Sequence, residues 1–500
     1  VVRRRLVWLN GLTLMALFAL LVRVFGATAA AEGSEGASRR WQDTLAGRAD
    51  LQHFQVLQVD DGRGRIRYRN GLALWDGAVV TEWAGHRWRI HSELPGAVDT
   101  LAGRVGKPDV WPNPHRAVAE QGRSGMELTF DAALQSRRPS LVARLRTPEG
   151  RVSSDTLYVA HALPGADVRT TLDVGWQRRA EAWLADHRVR DGAVVVLDVA
   201  TNQMLAAAGV RAGHPDATVA VTPFTPGSIF KLVTGAAALD AYRARPDSVF
   251  LCLGGIRTPL VRMHCWRVHG RLSFTEALAE SCDTAFAELG MAMGRAGLTA
   301  ETHRLHLAET QLQTVDGRTV VREARSGVVF RRAGRDDGLL ANTAIGQQDV
   351  RLSPLQVANL ARTVAAGGRM APVRLVLDLE LGGCVLRAFP VPSWGQAMSR
   401  QTAHWLGAGM RHAVTSPTGT AHSLARAPVP AAVKTGTAEL ARGGLVNGWM
   451  AGYAPYAHPR IAFAVYVGKV PSAEAHHLTQ SVARAVLETY RQFYGTPDIG

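Results

Sequence analysis

Apolar and polar positions change their spacing along this chain, and the changes predict its elements. Ala193-Val194-Val195-Val196-Leu197-Asp198 is an apolar run of strand length, Ala200 to Gln203 reads as a turn, and Met204 to Ala208 reads as the antiparallel partner. Near the C-terminus, Ala431 to Thr437, Trp449 to Tyr453 and Arg460 to Val467 predict three more strands. In the last of these Ile461, Phe463, Val465 and Val467 fall on one face. Val168 to Asp173 reads as a strand, and Gln177 to Asp186, Leu272 to Ala279 and the amphipathic Leu478 to Tyr494 read as helices. Ser353-Pro354-Leu355-Gln356 has the form of a helix start, with Ser as N-cap, Pro at the first position and Gln at the third; Gly367-Gly368 ends that helix. Strands at both ends of the region with helices between them predict a mixed α+β or α/β fold, in which both termini build one antiparallel sheet covered by helices.

Upstream the pattern is shorter. From about Trp41 to His161, alternating patches such as Arg65-Ile66-Arg67-Tyr68 and His86-Arg87-Trp88-Arg89-Ile90 are separated by Gly and Asp turns, which predicts a smaller, strand-rich domain. Ala31 to Arg40 reads as a Gly/Ser/Glu linker, and Leu163-Pro164-Gly165 as a boundary. Before them, Arg3, Arg4 and Arg5 precede an apolar run from Leu6 to Leu21, broken only by Asn10 and Thr13 and followed by Arg23. With snorkelling arginines at each end the run approaches the ~20 residues that span a bilayer, and its basic flank puts the N-terminus in the cytoplasm. A cleaved signal peptide, cut near Ala27-Thr28-Ala29, is the other reading; both export the body of the chain. The expected division is therefore a membrane anchor over 1–30, a linker and non-catalytic domain over 31–165, and a larger domain over 166–500.

A formal charge of +15 in 500 residues suggests attraction to an anionic surface, or else a plain bias towards Arg. Nucleic acid is not an expected partner, because the arginines are scattered and no zinc-finger spacing or basic–aromatic stripe accompanies them. Cys252 and Cys265 flank a Gly/Pro-containing loop and could pair as a disulfide outside the cytoplasm. A metal site on His264, Cys265 and His269 fits no common zinc spacing, and the expected metal content is none.

Lysine usage points to the chemistry. Of 57 Lys and Arg residues only Lys107, Lys231, Lys434 and Lys469 are lysines. Arg keeps its proton in proteins, whereas a buried Lys can be tuned to lose it. Ser228-Ile229-Phe230-Lys231 places a hydroxyl and an amine on one helical face, the layout of a serine nucleophile with a lysine base. Ser228 follows Thr225-Pro226-Gly227 and precedes an apolar helix former, so it falls near a helix N-terminus, where free N–H groups stabilise an oxyanion. Ser-x-x-Lys alone is common. Here it is followed in order by Ser281-Cys282-Asp283 and by Lys434-Thr435-Gly436-Thr437, the latter on a predicted strand.

That ordered triplet resembles the signature of penicillin-binding proteins and serine β-lactamases. The likeness extends to Thr222 through Lys231, to Gly346-Gln347-Gln348 with Ser353-Pro354-Leu355-Gln356, and to Lys434 through Glu439 with Trp449-Met450-Ala451-Gly452-Tyr453. Upstream, Gly64 to Gly71 and Gly122-Arg123-Ser124-Gly125-Met126-Glu127 resemble segments of the non-catalytic domain. With no room for a glycosyltransferase domain before Val168, the chain is similar to the class B, monofunctional group. The resemblance implies the serine penicillin-recognising transpeptidase fold and a peptidoglycan D,D-transpeptidase that needs no metal or cofactor. Ser228 would attack the penultimate D-Ala of a stem pentapeptide and pass the acyl group to a neighbouring amine. Lys231 would take the Ser228 proton and Ser281 would relay one to the leaving amine. Lys434, Thr435 and Thr437, with Gly436 permitting close approach, would hold the substrate carboxylate, and the N–H groups of Ser228 and Thr437 would form the oxyanion hole. Stem peptides or their lipid-linked precursor, β-lactams, the membrane and a multi-pass glycan polymerase of the elongation or division machinery are the implied partners, with the catalytic domain outside the cytoplasmic membrane.

Asp283 departs from the pattern, since many members carry Asn there. An ionised Asp beside Lys231 favours the ammonium and opposes a base role. Asp283 leaves an inactive penicillin-binding scaffold as one competing function; a β-lactam sensor or a β-lactamase, which would share the Ser-Lys chemistry, is the other.

Overall fold

A computed structural model describes residues 54–59, 62–74, 78–83, 86–91, 99–106, 121–138, 140–146, 152–160, 163–259, 261–330, 337–390, 393–440 and 444–496. The expected membrane anchor and linker lie outside the described residues. Among those described, no helix is long and apolar enough to cross a membrane.

The centre is a six-stranded sheet wrapped by seven helices that matter for the site. In chain order these elements are α1 (Val174–Asp186), β1 (Gly192–Asp198), β2 (Met204–Arg211), β3 (His214–Pro215), α2 (Lys231–Asp240), α3 (Phe274–Ala279), α4 (Asp283–Arg304), α5 (Pro354–Ala365), α6 (Arg400–Thr415), β4 (Ala432–Glu439), β5 (Leu445–Ala454), β6 (Ile461–Pro471) and α7 (Ser472–Tyr494). The strand order is β3-β2-β1-β6-β5-β4, so the last three strands of the chain add to the first hairpin. The β1–β6 pair is antiparallel, with Val195 opposite Ala464, which joins the two ends of the region as the sequence predicts.

Side-chain alternation divides the sheet between two cores. Val194, Val196, Ile461, Phe463, Val465 and Val467 face one side, against Trp176, Ala180 and Trp183 of α1 and Val482, Val486 and Leu487 of α7. Ala193, Val195, Leu197, Ala462, Ala464 and Tyr466 face the other, against helices that contribute Leu232 and Val233 of α2 and Leu355 and Ala358 of α5. Small residues on that second face let helices approach the sheet closely.

Element boundaries follow from capping. Helix α1 begins at Val174 because the Asp173 carboxylate accepts from the N–H groups of Gly175 and Trp176, at 2.9 and 3.2 Å. The strand before it accordingly stops at Thr170. Helix α5 carries the predicted capping box between Ser353 and Gln356. The helix expected from Leu272 starts only at Phe274: Leu272 and Ser273 end a strand, Gly270–Ser273, and the Ser273 hydroxyl caps α3 with Glu276. Helix α7 begins at Ser472, ahead of its predicted start at Leu478.

The upstream strands include Phe54–Val59, Ser140–Arg146 and Val152–Ala160, which form a three-stranded sheet, and Ala78–Trp83 with His86–His91, which form a hairpin. Ile66 and Arg67 run parallel to Val168 and Arg169, so one small sheet joins chain on both sides of Leu163-Pro164-Gly165. Leu101, Met126, Phe130 and Leu134 enter the same core as Val168 and Leu375.

Candidate active site

Ser228 lies in a 3₁₀ turn, Gly227–Phe230, that runs directly into α2. In such a turn residues three apart eclipse one another, which puts Ser228 and Lys231 on one side. Two glycines hold the turn in place. The N–H of Gly227 donates to the Gly346 carbonyl at 3.0 Å. Gly227 has φ +54°, and a Cβ there would stand 2.4 Å from the Thr437 carbonyl oxygen; Gly346 has φ +85°, and its Cβ would stand 1.8 Å from the Gly227 oxygen. The Ser228 turn therefore sits against β4 with no room for a side chain between them. Behind it, the Trp449 indole donates to the Thr225 carbonyl at 2.9 Å, and Phe224 stacks on Tyr466 with ring centres 4.3 Å apart. Gly227, Ile229 and Phe230 are buried, while Ser228 keeps partial exposure.

Lys231 is fully buried at the start of α2. Its Nζ donates to the Ser281 carbonyl at 2.7 Å, to the Ser281 hydroxyl at 3.2 Å and to Asp283 Oδ1 at 2.7 Å. Ser281 occupies the short connection between α3 and α4 with φ +57°, a conformation that turns both its carbonyl and its hydroxyl towards the lysine. Asp283 is the first residue of α4 and forms an ion pair with Lys231. The neighbourhood feared from sequence is thus real: the carboxylate faces the amine directly.

Lys434, also fully buried, comes from β4. Its Nζ meets Ser281 Oγ at 2.9 Å and donates to the Thr435 carbonyl at 2.8 Å. Burial depresses its pKa well below the usual lysine value; the charge of Lys231 adds to the fall, and Asp283 opposes it. Ser281 Oγ therefore bridges two amines. Thr435 is nearly buried and its hydroxyl donates to Thr420 Oγ1 at 2.7 Å, whereas Thr437 is exposed. Gly436 has no space for a side chain, since a Cβ would lie 2.8 Å from the Pro226 oxygen. Among the described residues β4 is the edge strand of the sheet, paired with β5, and its other edge runs past the Ser228 turn.

All eight residues singled out from sequence thus lie in three segments that pack together: the turn before α2, the α3–α4 connection, and β4. The match of a family model falls on the same region. The Penicillin binding protein transpeptidase domain matches residues 192–488. The chain belongs to the penicillin-binding protein transpeptidase family. Peptidoglycan D,D-transpeptidase PbpA of Mycolicibacterium smegmatis is 28% identical over 87% of this chain and 94% of the relative. The namesake from Mycobacterium tuberculosis is 26% identical over 89% of this chain and 92% of the relative. Among solved structures, penicillin binding protein 3 of Mycobacterium tuberculosis, complexed with aztreonam, aligns with TM-score 0.68 at 20% identity, covering 88% of this chain and 97% of that one. Pseudomonas aeruginosa PBP2 in complex with WCK 5153 aligns with TM-score 0.68 at 21% identity, covering 88% and 96%. These structures share the fold. The family and its relatives make this chain a class B, serine-type D,D-transpeptidase of peptidoglycan.

Other residues at the site carried no assigned role in the sequence reading. Thr420 follows a Ser-Pro-Thr-Gly segment that has no periodicity, and only its bond to Thr435 reveals it. Gln347 donates to the Thr437 carbonyl at 3.2 Å, and Arg351 to Thr225 Oγ1 at 3.0 Å. Both lie in or beside the Gly346-to-Gln356 segment that the family resemblance singled out.

The cysteines depart from expectation. Cys252, Cys265, Cys282 and Cys384 are all free thiols, so the disulfide considered for Cys252 and Cys265 is not formed. His264 is exposed on a short strand, away from the cluster that Cys265 and His269 join.

Proposed function

We propose that Ser228 is the acyl-forming nucleophile of this D,D-transpeptidase, served by a proton network of Lys231, Ser281 and Lys434. The observation that carries the reading is the convergence of both buried lysines on one hydroxyl, Ser281 Oγ, beside the nucleophile turn. In the resting site Lys231 Nζ donates to three oxygens, one of them the Asp283 carboxylate, so no lone pair is free to act as a base. Lys434, in contrast, is driven towards its neutral form by burial. A proton can leave Lys231 to the Ser281 oxygen while the Ser281 proton passes to Lys434. Arrival of the substrate carboxylate at Lys434, Thr435 and Thr437 stabilises the new ammonium there. Substrate binding thereby creates the neutral Lys231 that the chemistry requires, and this offsets the effect of Asp283.

Lys231 then takes the Ser228 proton as Oγ bonds to the penultimate D-Ala carbonyl. The N–H groups of Ser228 and Thr437 receive the oxyanion. The C–N bond breaks, and the leaving D-Ala amine takes a proton through Ser281. An amine of a neighbouring stem peptide attacks the ester by the reverse route and restores the Ser228 hydroxyl. A β-lactam follows the first half of this path. Residues 1–30 would anchor the enzyme in the cytoplasmic membrane with residues 166–500 outside as the transpeptidase domain. The 31–165 region and the anchor would contact the polymerase that supplies glycan.

Covalent labelling with a fluorescent penicillin, followed over hours on wild type and Ser228→Ala, tests the assignment. A stable adduct in the wild type, absent in the variant, is expected. Undiminished labelling of Ser228→Ala overturns the nucleophile; rapid loss of label from the wild type moves the activity to β-lactam hydrolysis; no label on either protein leaves the scaffold reading.

A further inference from the structure

Three cysteines and one histidine meet beside the second motif, and the fold explains how. Cys252 ends the strand Val249–Cys252, which pairs with Gly270–Ser273 so that Cys252 lies opposite Gly270. That register brings His269 alongside Cys252. Inside this hairpin a second one, Gly255–Arg257 with Arg262–His264, returns the chain so that the Cys265 N–H bonds to the Gly254 carbonyl at 3.0 Å. Cys282 arrives from elsewhere, as the residue before α4 and the middle member of Ser281-Cys282-Asp283. The four ligand atoms all lie within 4.8 Å of one another.

We propose that Cys252, Cys265, His269 and Cys282 form a structural zinc site that fastens the 252–269 hairpin to the second catalytic motif. Tetrahedral zinc with Zn–S near ~2.3 Å and Zn–N near ~2.0 Å sets sulfur–sulfur edges of about 3.8 Å and sulfur–nitrogen edges of about 3.5 Å. The Cys265 Sγ to His269 Nδ1 distance is 3.5 Å. The remaining edges lie within 4.8 Å, so each contracts by no more than about 1.3 Å. Three sulfurs and one imidazole are a complete closed donor set of the structural kind, with no position left for water. A disulfide would use two of the four groups and leave the third thiol and the imidazole without a task. His269 Nε2 is buried with no hydrogen-bond partner, so the ring's polar anchoring comes from the sulfur side. Cys265 Sγ already accepts from the Asp283 N–H at 3.2 Å, an N–H···S bond of the kind that supports a metal thiolate.

The consequence for catalysis is positional. Cys282 lies between Ser281, which bridges the two lysines, and Asp283, which pairs with Lys231. Asp283 is tied to the same cluster through its N–H. Zinc there would fix the backbone that aims both groups, without touching substrate. The four ligands stand at positions 252, 265, 269 and 282, with long gaps either side of a short one, and two of them belong to segments that a motif search reads for other reasons.

Metal analysis of the full-length protein, purified without added metal or chelator, is expected to give about one zinc per chain. Cobalt(II) in its place should show the intense thiolate charge-transfer and tetrahedral ligand-field bands. Cys384, exposed and outside the cluster, should be the single thiol that reacts in the native holoprotein, and Cys384→Ser should keep its zinc. His269→Ala and Cys265→Ser should each lose zinc and acylate with fluorescent penicillin at least about tenfold more slowly. Zinc added back should restore chelator-treated wild type but not the variants. Should Cys265→Ser fail to fold, His269→Ala and the chelated wild type give the same readout. Metal well below stoichiometry with cobalt bands absent overturns the site. So does a thiol count in denaturant that shows two of the cluster's cysteines joined as a disulfide. The zinc content is read independently of labelling, so failure of the Ser228 assignment would leave it standing.

Discussion

At the residue scale the site turns on two amines treated differently by their surroundings. Lys231 and Lys434 are both fully buried, yet Lys231 faces a carboxylate and a carbonyl at 2.7 Å, whereas Lys434 meets only neutral oxygens. The first arrangement favours charge and the second opposes it. Under the proposed mechanism the substrate carboxylate must reverse this difference to send a proton through Ser281, which would make Lys434 more than a carboxylate anchor. Arg at that position would retain a positive charge but could not take up a proton, and its guanidinium exceeds the space of a fully buried amine. Lys434→Arg is therefore expected to slow penicillin acylation by on the order of a hundredfold or more, the scale of general acid–base contributions. Stopped-flow labelling would measure it. Acylation within a fewfold of wild type would mean that Lys434 supplies charge alone. Sequence made these residues legible because a chain that otherwise writes Arg has kept Lys at both points. The fate of Asp283 was not legible: whether it faced Lys231 depended on the left-handed turn at Ser281, which no local pattern announces.

At the scale of elements, precision in the site comes from backbone packed on backbone. The Ser228 turn is clamped by Gly346 on one side and by the Thr437 carbonyl on the other, with both Gly227 and Gly346 at positive φ. A methyl group at Gly346 would meet a backbone oxygen and would impose a strained conformation, so both chain segments must shift. Gly346→Ala should cost about 2–4 kcal/mol of stability, and it should lower the acylation rate more than the substrate's apparent affinity, because it displaces Ser228, the proposed nucleophile. Urea titration and labelling kinetics check the two parts, and a stable variant with normal kinetics would show that the clamp is dispensable. The strands and long helices here were readable because each has a period that burial imposes. The breaks came at their ends, where Asp173 and Ser273 act as caps inside stretches that pattern alone assigns to the neighbouring element. The cysteine cluster escaped for a related reason. It is assembled by strand register and by the approach of α4, and spacing along the chain carries no sign of either.

Over the whole molecule, the catalytic helices share one continuous core with the sheet and with upstream chain around Ile66, Leu101 and Met126, so a local ionisation in that core is felt as global stability. Glu301 of α4 provides such a case. Its carboxyl is completely buried, pairs with Arg304, and leaves Oε1 without a hydrogen-bond partner. Burial pushes its pKa up to about 7, against the lowering effect of Arg304 and with a further rise from Asp240. An acid whose pKa is higher in the folded chain holds its proton there after the unfolded chain has lost it. Between the ordinary carboxyl value of 4.5 and about 7, the folded state thus binds more protons, and stability falls as pH rises through that window. Glu301→Gln mimics the protonated form and removes this dependence. It should match wild type near pH 5 and exceed it at pH 8 by about 2–3 kcal/mol, the free energy of roughly two pKa units. Urea unfolding of both proteins at the two pH values measures the difference. Equal pH dependence in wild type and variant would mean that Glu301 stays ionised in the fold, with Arg304 outweighing its burial.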